Sequence, residues 1–141
     1  MKAKAIIDRL KAGAASLGGR ISGSAEFEEA TKATDLALPA AFVMRMLDNA
    51  GPDQAADRTL QVLEEHFAVL VVVSNQVDPR GYAGSEQLDD VRGELLQALL
   101  GWRPDADHSP LAYVGGQHLA QDRARLWHQF SFSTESVISN L

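Results

Sequence analysis

The 141-residue chain contains no cysteine. The sequence therefore excludes a disulfide, a thiolate nucleophile and a cysteine-ligated zinc site. It also lacks a long hydrophobic run, because its longest apolar stretch, residues 67–73, is far shorter than the ~18 residues typical of a membrane span. The N-terminal segment interrupts its apolar residues with Asp8, Arg9 and Lys11, so no signal peptide is evident. We expect a soluble protein made in the cytosol.

Positive charge is also scarce, with 13 Lys and Arg against 19 Asp and Glu and a net charge of −6. This balance disfavours a protein whose main task is to bind the phosphates of nucleic acids. The fractions of hydrophobic residues, 45%, and of charged residues, 23%, are ordinary for a globular protein, and the length suits one domain. We therefore predict a single domain over residues 1–141.

Motifs for catalysis or metal binding are missing from the sequence. It has no Gly-x-Ser-x-Gly nucleophile elbow, and the segment 105–108 lacks the Gly and terminal Glu of a calcium loop. The four histidines are too dispersed for a metal-binding motif; they are His66, His108, His118 and His128. We expect no catalytic residue, no cofactor and no metal ion.

Apolar residues recur at three- and four-residue spacing over residues 3–17 and 88–100, which predicts two amphipathic helices. Ser85 is a candidate N-cap and Gly101 a candidate C-cap of the second helix, while residues 75–84 before it form a loop. Between the two helices, residues 20–38 favour at most a short helix near 26–32. The expected buried stripe of the second helix is Leu88, Val91, Leu95, Leu96, Leu99 and Leu100.

Alternating and continuous apolar patterns predict four strands, at residues 39–47, 59–74, 111–114 and 126–138. Residues 69–73 have no polar face, so the second strand is central, is covered on both sides and pairs antiparallel with the first. Gly115 and Gly116 end the third strand. The predicted fold class is α+β, a single domain with a mainly antiparallel sheet and two helices packed on one face.

The first predicted strand is apolar on both faces, with Ala41 and Val43 on one side and Phe42, Met44 and Met46 on the other. One interpretation is an ordinary two-sided core. The other is that the chain's own helices cover one face and another subunit covers the second. Phe42 and Met44 are therefore candidate interface residues.

Several segments form a recognisable series: an N-terminal helix, then GGRISGSAEF, LPAAFVMRM, HFAVLVVVSNQ, LDDVRGELLQALLGWRP and PLAYVGGQHLAQDRARLWHQFSFST. The most specific pieces are ALLGWRP and PLAYVGG, followed by Trp127. Over most of its length the chain resembles the tail terminator proteins of long-tailed bacteriophages and prophages.

The resemblance implies a structural virion protein of the phage tail, assembled in the host cytoplasm. Such a protein forms a ring, typically hexameric, that caps the head-proximal end of the tail tube, stops tube polymerisation and provides the surface for head joining. The implied partners are further copies of the chain, the tail tube protein and a head-completion or neck protein; DNA only passes through the lumen, and no membrane is involved. Carboxylates lining the lumen would repel DNA phosphates, although residues 48–57 and 105–107 are equally well explained as solvated loops.

Two segments are candidate contacts in such an assembly. One is the loop 75–84, with Arg80 and Tyr82. The other is the C-terminal strand, with Phe130 and Phe132, which is suited to pairing with a neighbour or a tube subunit by strand addition.

Two other interpretations remain open. A neck or head–tail completion protein is similar in size and also forms rings. A small α+β enzyme or ligand-binding domain would bring His118, His128 and acidic residues together in one cleft.

Overall fold

The computed structural model describes residues 1–75, 82–122 and 124–140. Three α-helices lie within these ranges: α1 (Ala3–Gly13), α2 (Ser24–Lys32) and α3 (Tyr82–Leu99). The described strands are β1 (Ile21–Ser22), β2 (Ala40–Ala50), β3 (Leu60–Ser74), β4 (Ala112–Asp122) and β5 (Arg125–Ser139). They form one five-stranded sheet in the order β1-β2-β3-β5-β4.

Strand β3 is the centre of this sheet. It pairs antiparallel with β2 on one side and with β5 on the other, and β4 pairs antiparallel with the outer side of β5. Among the described strands, only the short β1 runs parallel to its neighbour, which is β2. The predicted α+β fold with a mainly antiparallel sheet is confirmed, as are the central position of β3 and its pairing with the preceding strand.

Both faces of β3 are buried from Phe67 to Val73, because successive side chains in a strand point to opposite faces. The odd-numbered residues pack beneath α1 and α3, together with Ile6, Leu10, Leu95 and Phe132. The even-numbered residues form a second cluster with Phe42, Ala30 of α2 and Trp127 of β5. None of the helices in the described ranges combines the length and hydropathy that a membrane span requires.

Helix α2 adds a third helix to the two that were predicted on one face. Helices α1 and α3 share one face, whereas α2, which the sequence suggested only as a short helix, covers part of the other. Phe27 of α2 packs edge-on against Phe42 and Trp127, with ring centroids 5.7 Å and 5.8 Å apart. Arg125 Nη1 donates hydrogen bonds to the carbonyls of Ala30 and Ala33 at the end of the helix.

The helix boundaries differ from the predicted ones. Helix α1 ends at Gly13, and a 3₁₀ turn, Ala15–Leu17, follows where the helix was expected to continue. Helix α3 begins at Tyr82, before Ser85, so Ser85 lies inside the helix and is not its N-cap. Buried Gly84 permits this early start, because a Cβ there would lie 3.1 Å from the carbonyl oxygen of Ser74.

The end of α3 follows the prediction more closely. Gly101 has a positive φ of 77°, the left-handed conformation expected just after a helix. Its N–H donates to the carbonyl of Leu111, which ties the end of α3 to the segment leading into β4. Leu100, however, is exposed and does not belong to the buried stripe.

Strand β4 continues through Gly115 and Gly116, where the sequence predicted its end. The continuous partner β5 supports it over this length, and two β-bulges, at Val114 and Leu119, adjust the pairing. Gly116 is required by close packing, since a Cβ there would lie 2.8 Å from Tyr113 Oη and 3.1 Å from His128 Nε2.

Replacing Phe132 by Ala tests the aromatic packing at the centre of the core. The Phe132 side chain is 0% exposed, and its ring centroid lies 5.4 Å from that of Phe67 and 5.3 Å from that of Tyr113. We expect Phe132→Ala to lower the free energy of unfolding by about 3–5 kcal/mol in urea titrations. The control, exposed Val114→Ala, should change it by less than about 0.5 kcal/mol. Equal effects of the two substitutions would contradict the assignment of Phe132 to the core.

Candidate assembly surfaces

Strand β5 places two predicted interface residues inside the molecule. Phe130 and Phe132 are buried beneath α1 and α3. Over these residues β5 also has partners on both sides, β3 and β4. Their side chains therefore stabilise the chain's own core, and strand addition is possible only further along β5, beyond its pairing with β4.

Phe42 and Met44 lie on the opposite face, where α2 covers them in part. Phe42 is buried against Phe27 and Trp127, and Met44 is half-buried at the border of the same cluster. The next apolar residue, Met46, is 50% exposed. An ordinary core thus accounts for Phe42, and accessible apolar surface begins only beyond Met44.

The predicted contact loop 75–84 lies mostly outside the described residues. Arg80 is outside them, and Tyr82 is the first residue of α3. The backbone N–H of Asn75 at the start of the segment donates to the carbonyl of Ala124, with an N–O distance of 2.6 Å. Residues 82–84 are helical, so the loop is shorter than predicted.

One end of the sheet extends beyond the well-covered core. We call it the three-stranded extension; it comprises residues 47–50 of β2, 60–64 of β3 and 135–139 of β5. In contrast to residues 67–73 of β3, none of its residues is buried. It carries exposed apolar side chains at Leu47, Val137 and Ile138, and Met46 lies beside it.

This surface was not predicted from the sequence. The first strand was expected to end at residue 47, so the alignment of the extension could not be recognised. The available signal was the apolar pair Val137 and Ile138 at the end of a strand whose preceding residues, 133–136, are polar.

The β2–β3 connection at the tip of the extension is held by a local hydrogen-bond network. Asp53 Oδ1 accepts from the backbone N–H groups of Ala55 and Leu60, at 3.1 Å and 2.9 Å. These two bonds lower the pKa of Asp53, because they favour its charged form. Gln61 Nε2 donates to the carbonyl of Gly51 across the same hairpin.

Above the extension, Glu65 is the centre of a buried ionic network. Its side chain is almost completely enclosed and lies 3.0 Å from the amine of Met1, 2.9 Å from His108 Nε2 and 3.6 Å from Arg45 Nη2. His108 Nδ1 is in turn 2.7 Å from Asp105 Oδ1. The network fastens the first residue and the 101–111 connection to the sheet.

The network changes the pKa values of its members. Burial alone raises the pKa of Glu65, but hydrogen bonds from His108 and the Met1 amine hold that pKa below its usual value. Burial alone likewise lowers the pKa of His108, yet its bonds to Asp105 and Glu65 raise the pKa above the usual value. The contacts therefore favour a charged pair, with protonated His108 between two carboxylates.

His118 and His128 face each other across β4 and β5, as an enzyme site would need. Burial lowers the pKa of His128, and the positive charges of His118 and Arg92 lower it further. No carboxylate among the described residues joins them in a group able to hold a metal ion. An open groove between β1 and α2 contains Arg20 and Glu26, but Arg20 binds the Pro39 carbonyl and Glu26 accepts from the Gly23 N–H.

A comparison with solved structures indicates the class of protein to which the fold belongs. A chain in a solved structure titled "Virion of native gene transfer agent (GTA) particle" matches with a TM-score of 0.60 and 14% sequence identity, covering 96% of this chain and 94% of that chain. This likeness shows a shared fold, found there in a virion component. A search of curated proteins found no significant match.

The family follows from the sequence itself. The model described as "Phage tail terminator protein" matches residues 1–140, and the chain belongs to the phage tail terminator family. The resemblance seen in the sequence is confirmed. The family is structural and not enzymatic, so the protein is a virion structural component of the tail.

The ionic network predicts a stability that depends on pH. Because the pKa of His108 is raised in the folded state, the contribution of His108 to the free energy of unfolding is complete at low pH and is lost as the pH rises through that pKa. The lowered pKa of Glu65 adds a contribution that is lost in acid. We expect wild type to exceed His108→Gln in free energy of unfolding by more at pH 6 than at pH 9.

Urea titrations of both proteins at the two pH values measure this difference. Asp105→Asn serves as an intermediate, because it removes one of the two carboxylates that raise the pKa of His108. An identical pH dependence in wild type and His108→Gln would contradict the assignment.

Proposed function

We propose that the protein forms a hexameric ring on the head-proximal end of the tail tube, where it stops tube polymerisation and provides the surface for head joining. The observation that carries this proposal is the family match over residues 1–140. The similarity to a virion chain over 96% of the length supports it, because the match is not confined to one element.

The charge of the chain suits a ring through which DNA passes. A net charge of −6 per copy is multiplied around a ring. A negative surface repels DNA phosphates and reduces their adhesion during passage. The role of DNA is thus passage without specific binding.

A closed ring on the tube would stop its growth by covering the surface to which the next tube subunits add. A head-to-tail interface uses two different patches on each subunit, and both are occupied in every subunit when the ring closes. The ring then presents a new surface to the next component. Its proposed partners are the tail tube protein on one side and a head-completion or neck protein on the other.

Native mass measurement and negative-stain imaging test the proposal directly. We expect the purified protein to form a hexameric ring, alone or on tubes of its tail tube protein, and to be seen at one end of each tube. When added during tube growth, it should shorten the tubes. Heat-unfolded protein at equal concentration is the control. A monomer that leaves tube length unchanged contradicts the proposal, and a ring that binds only the head connector favours a neck protein.

The segment 75–84 provides a second test. We expect Arg80→Ala combined with Tyr82→Ala to reduce ring assembly or tube capping at least tenfold, since this segment is a predicted contact. Lys11→Ala, which removes an exposed positive charge elsewhere on the chain, is the control. The readouts are native mass and the fraction of capped tubes. Unchanged assembly with a native circular dichroism spectrum would remove this segment from the interface.

A further inference from the structure

We propose that neighbouring copies join edge to edge through the three-stranded extension. The outer edge of β5 at Val137 of one copy adds to the outer edge of β2, between Arg45 and Ala50, of the next. The inference rests on the proposed ring and assigns it one specific interface.

The outer edge of β2 is open over most of its length. Strand β1 covers it only at Ala41 and Phe42, and the Ala41 N–H donates to the Arg20 carbonyl. Because backbone groups alternate sides along a strand, Arg45 also points outward. The bulge between Arg45 and Leu47 shifts this alternation by one residue.

Beyond the bulge the outward residues are Asp48 and Ala50. Gly51 donates its N–H to the Val62 carbonyl of β3, so Ala50, one residue earlier, faces away from β3. No residue that the structure describes hydrogen-bonds to the backbone of Arg45, Asp48 or Ala50 on this outer side. The edge therefore presents a row of available donors and acceptors.

The outer edge of β5 is open near its end. Pairing with β4 stops at Ser133, and Ser109 then covers Glu135: the Ser109 N–H donates to the Glu135 carbonyl, and the Glu135 N–H donates to Ser109 Oγ. Glu135 thus points outward, and the next outward residue is Val137. Within the described ranges no hydrogen bond reaches the backbone of Val137 from that side.

The residues of this edge favour pairing. Residues 136–139 include no charged residue and no proline, the residues by which proteins commonly protect a free strand edge. The side chain of Val137 is 64% exposed. Strand β4, by comparison, is an outer strand interrupted by two bulges.

A second copy fits because the two open edges are different and lie at the same position along the strands. Ala50 is opposite Leu63, and Leu63 is opposite Ser136, so the β2 and β5 edges flank the same rows of the sheet. Each copy thus presents one edge of each kind. Repeated head-to-tail pairing of such edges gives a ring when the rotation between copies closes, whereas pairing of two identical edges gives a dimer and leaves the other edges open.

The side chains and strand directions specify the junction further. Leu47 and Val137 are opposite His66 and Val62, both even-numbered residues of β3, so they lie on the same face of the sheet. The junction therefore brings exposed Val137 of one copy beside exposed Leu47 of the next, removing apolar surface from water. Both β2 and β5 run antiparallel to β3 and are therefore parallel to each other. Rotation about a ring axis that lies along the strands keeps their directions, so β5 of one copy runs parallel to β2 of the next.

Cysteine cross-linking tests this junction, because the chain has no cysteine of its own. Val137→Cys is combined in turn with Leu47→Cys and Asn49→Cys, whose side chains lie on the same face of the sheet as that of Val137. Within one copy, β3 separates these positions by about 10 Å, too far for a disulfide. We expect at least one combination, oxidised on tail tubes, to give a covalent ladder up to the hexamer. Asn49→Cys with Leu119→Cys, on β4, is the matched control.

Each result has a defined meaning. A ladder from a β2–β5 pair, but not from the control or from single variants, supports the junction. Rings without a ladder from either of the two pairs, or with a ladder from the control, overturn the junction and leave the ring in place. Dimers from single variants alone indicate pairing of identical edges and also overturn it. Absence of rings in wild type, alone and on tubes, contradicts the proposed function itself.

A proline variant tests the same edge without cross-linking. Val137→Pro removes an outward N–H that β3 does not use, and proline is tolerated at sheet edges. We expect it to reduce ring formation at least tenfold while the urea midpoint stays near that of Val137→Ala. Normal rings from folded Val137→Pro would overturn the junction.

Discussion

The structure depends on the need to bury both faces of β3. Residues 67–73 of this strand contain no polar side chain, so neither face can be left in contact with water without a large loss of hydrophobic free energy. Helices α1 and α3 cover one face, and α2 with Phe42 and Trp127 covers the other. The neighbours β2 and β5 satisfy the backbone hydrogen bonds of the strand on both sides. The remaining elements are arranged around this requirement.

The same strand also explains where the core ends. Before Glu65 its residues become polar or only partly apolar, and the helices no longer need to cover them. The sheet nevertheless continues as a three-stranded extension, because strand pairing depends on backbone groups and not on burial. The ionic network of Glu65 and His108 lies at this border and fastens the 101–111 connection there. The result is a buried core joined to an accessible end of the sheet.

This division suits a protein whose work is assembly. A member of the tail terminator family needs surfaces for other chains and needs no cleft for a substrate. Residues that resemble interface residues in the sequence, such as Phe130 and Phe132, instead hold the core together. The surface available to partners consists of strand edges with scattered apolar side chains, and this is the kind of surface that a ring of identical copies can use by extending its sheet.

The sequence by itself determined the α+β class, the central position of β3, its antiparallel pairing with β2 and the family, because these depend on local periodicity and on segments such as ALLGWRP. It did not determine on which face α2 packs, since that depends on contacts of Phe27 and Arg125 with residues far along the chain. It placed the end of β4 at two glycines, although pairing with β5 carries the strand past them. The open edges were decided only by the tertiary structure. Whether a backbone N–H has a partner depends on which strand lies beside it, and strand neighbours are set by long-range packing that no local pattern encodes.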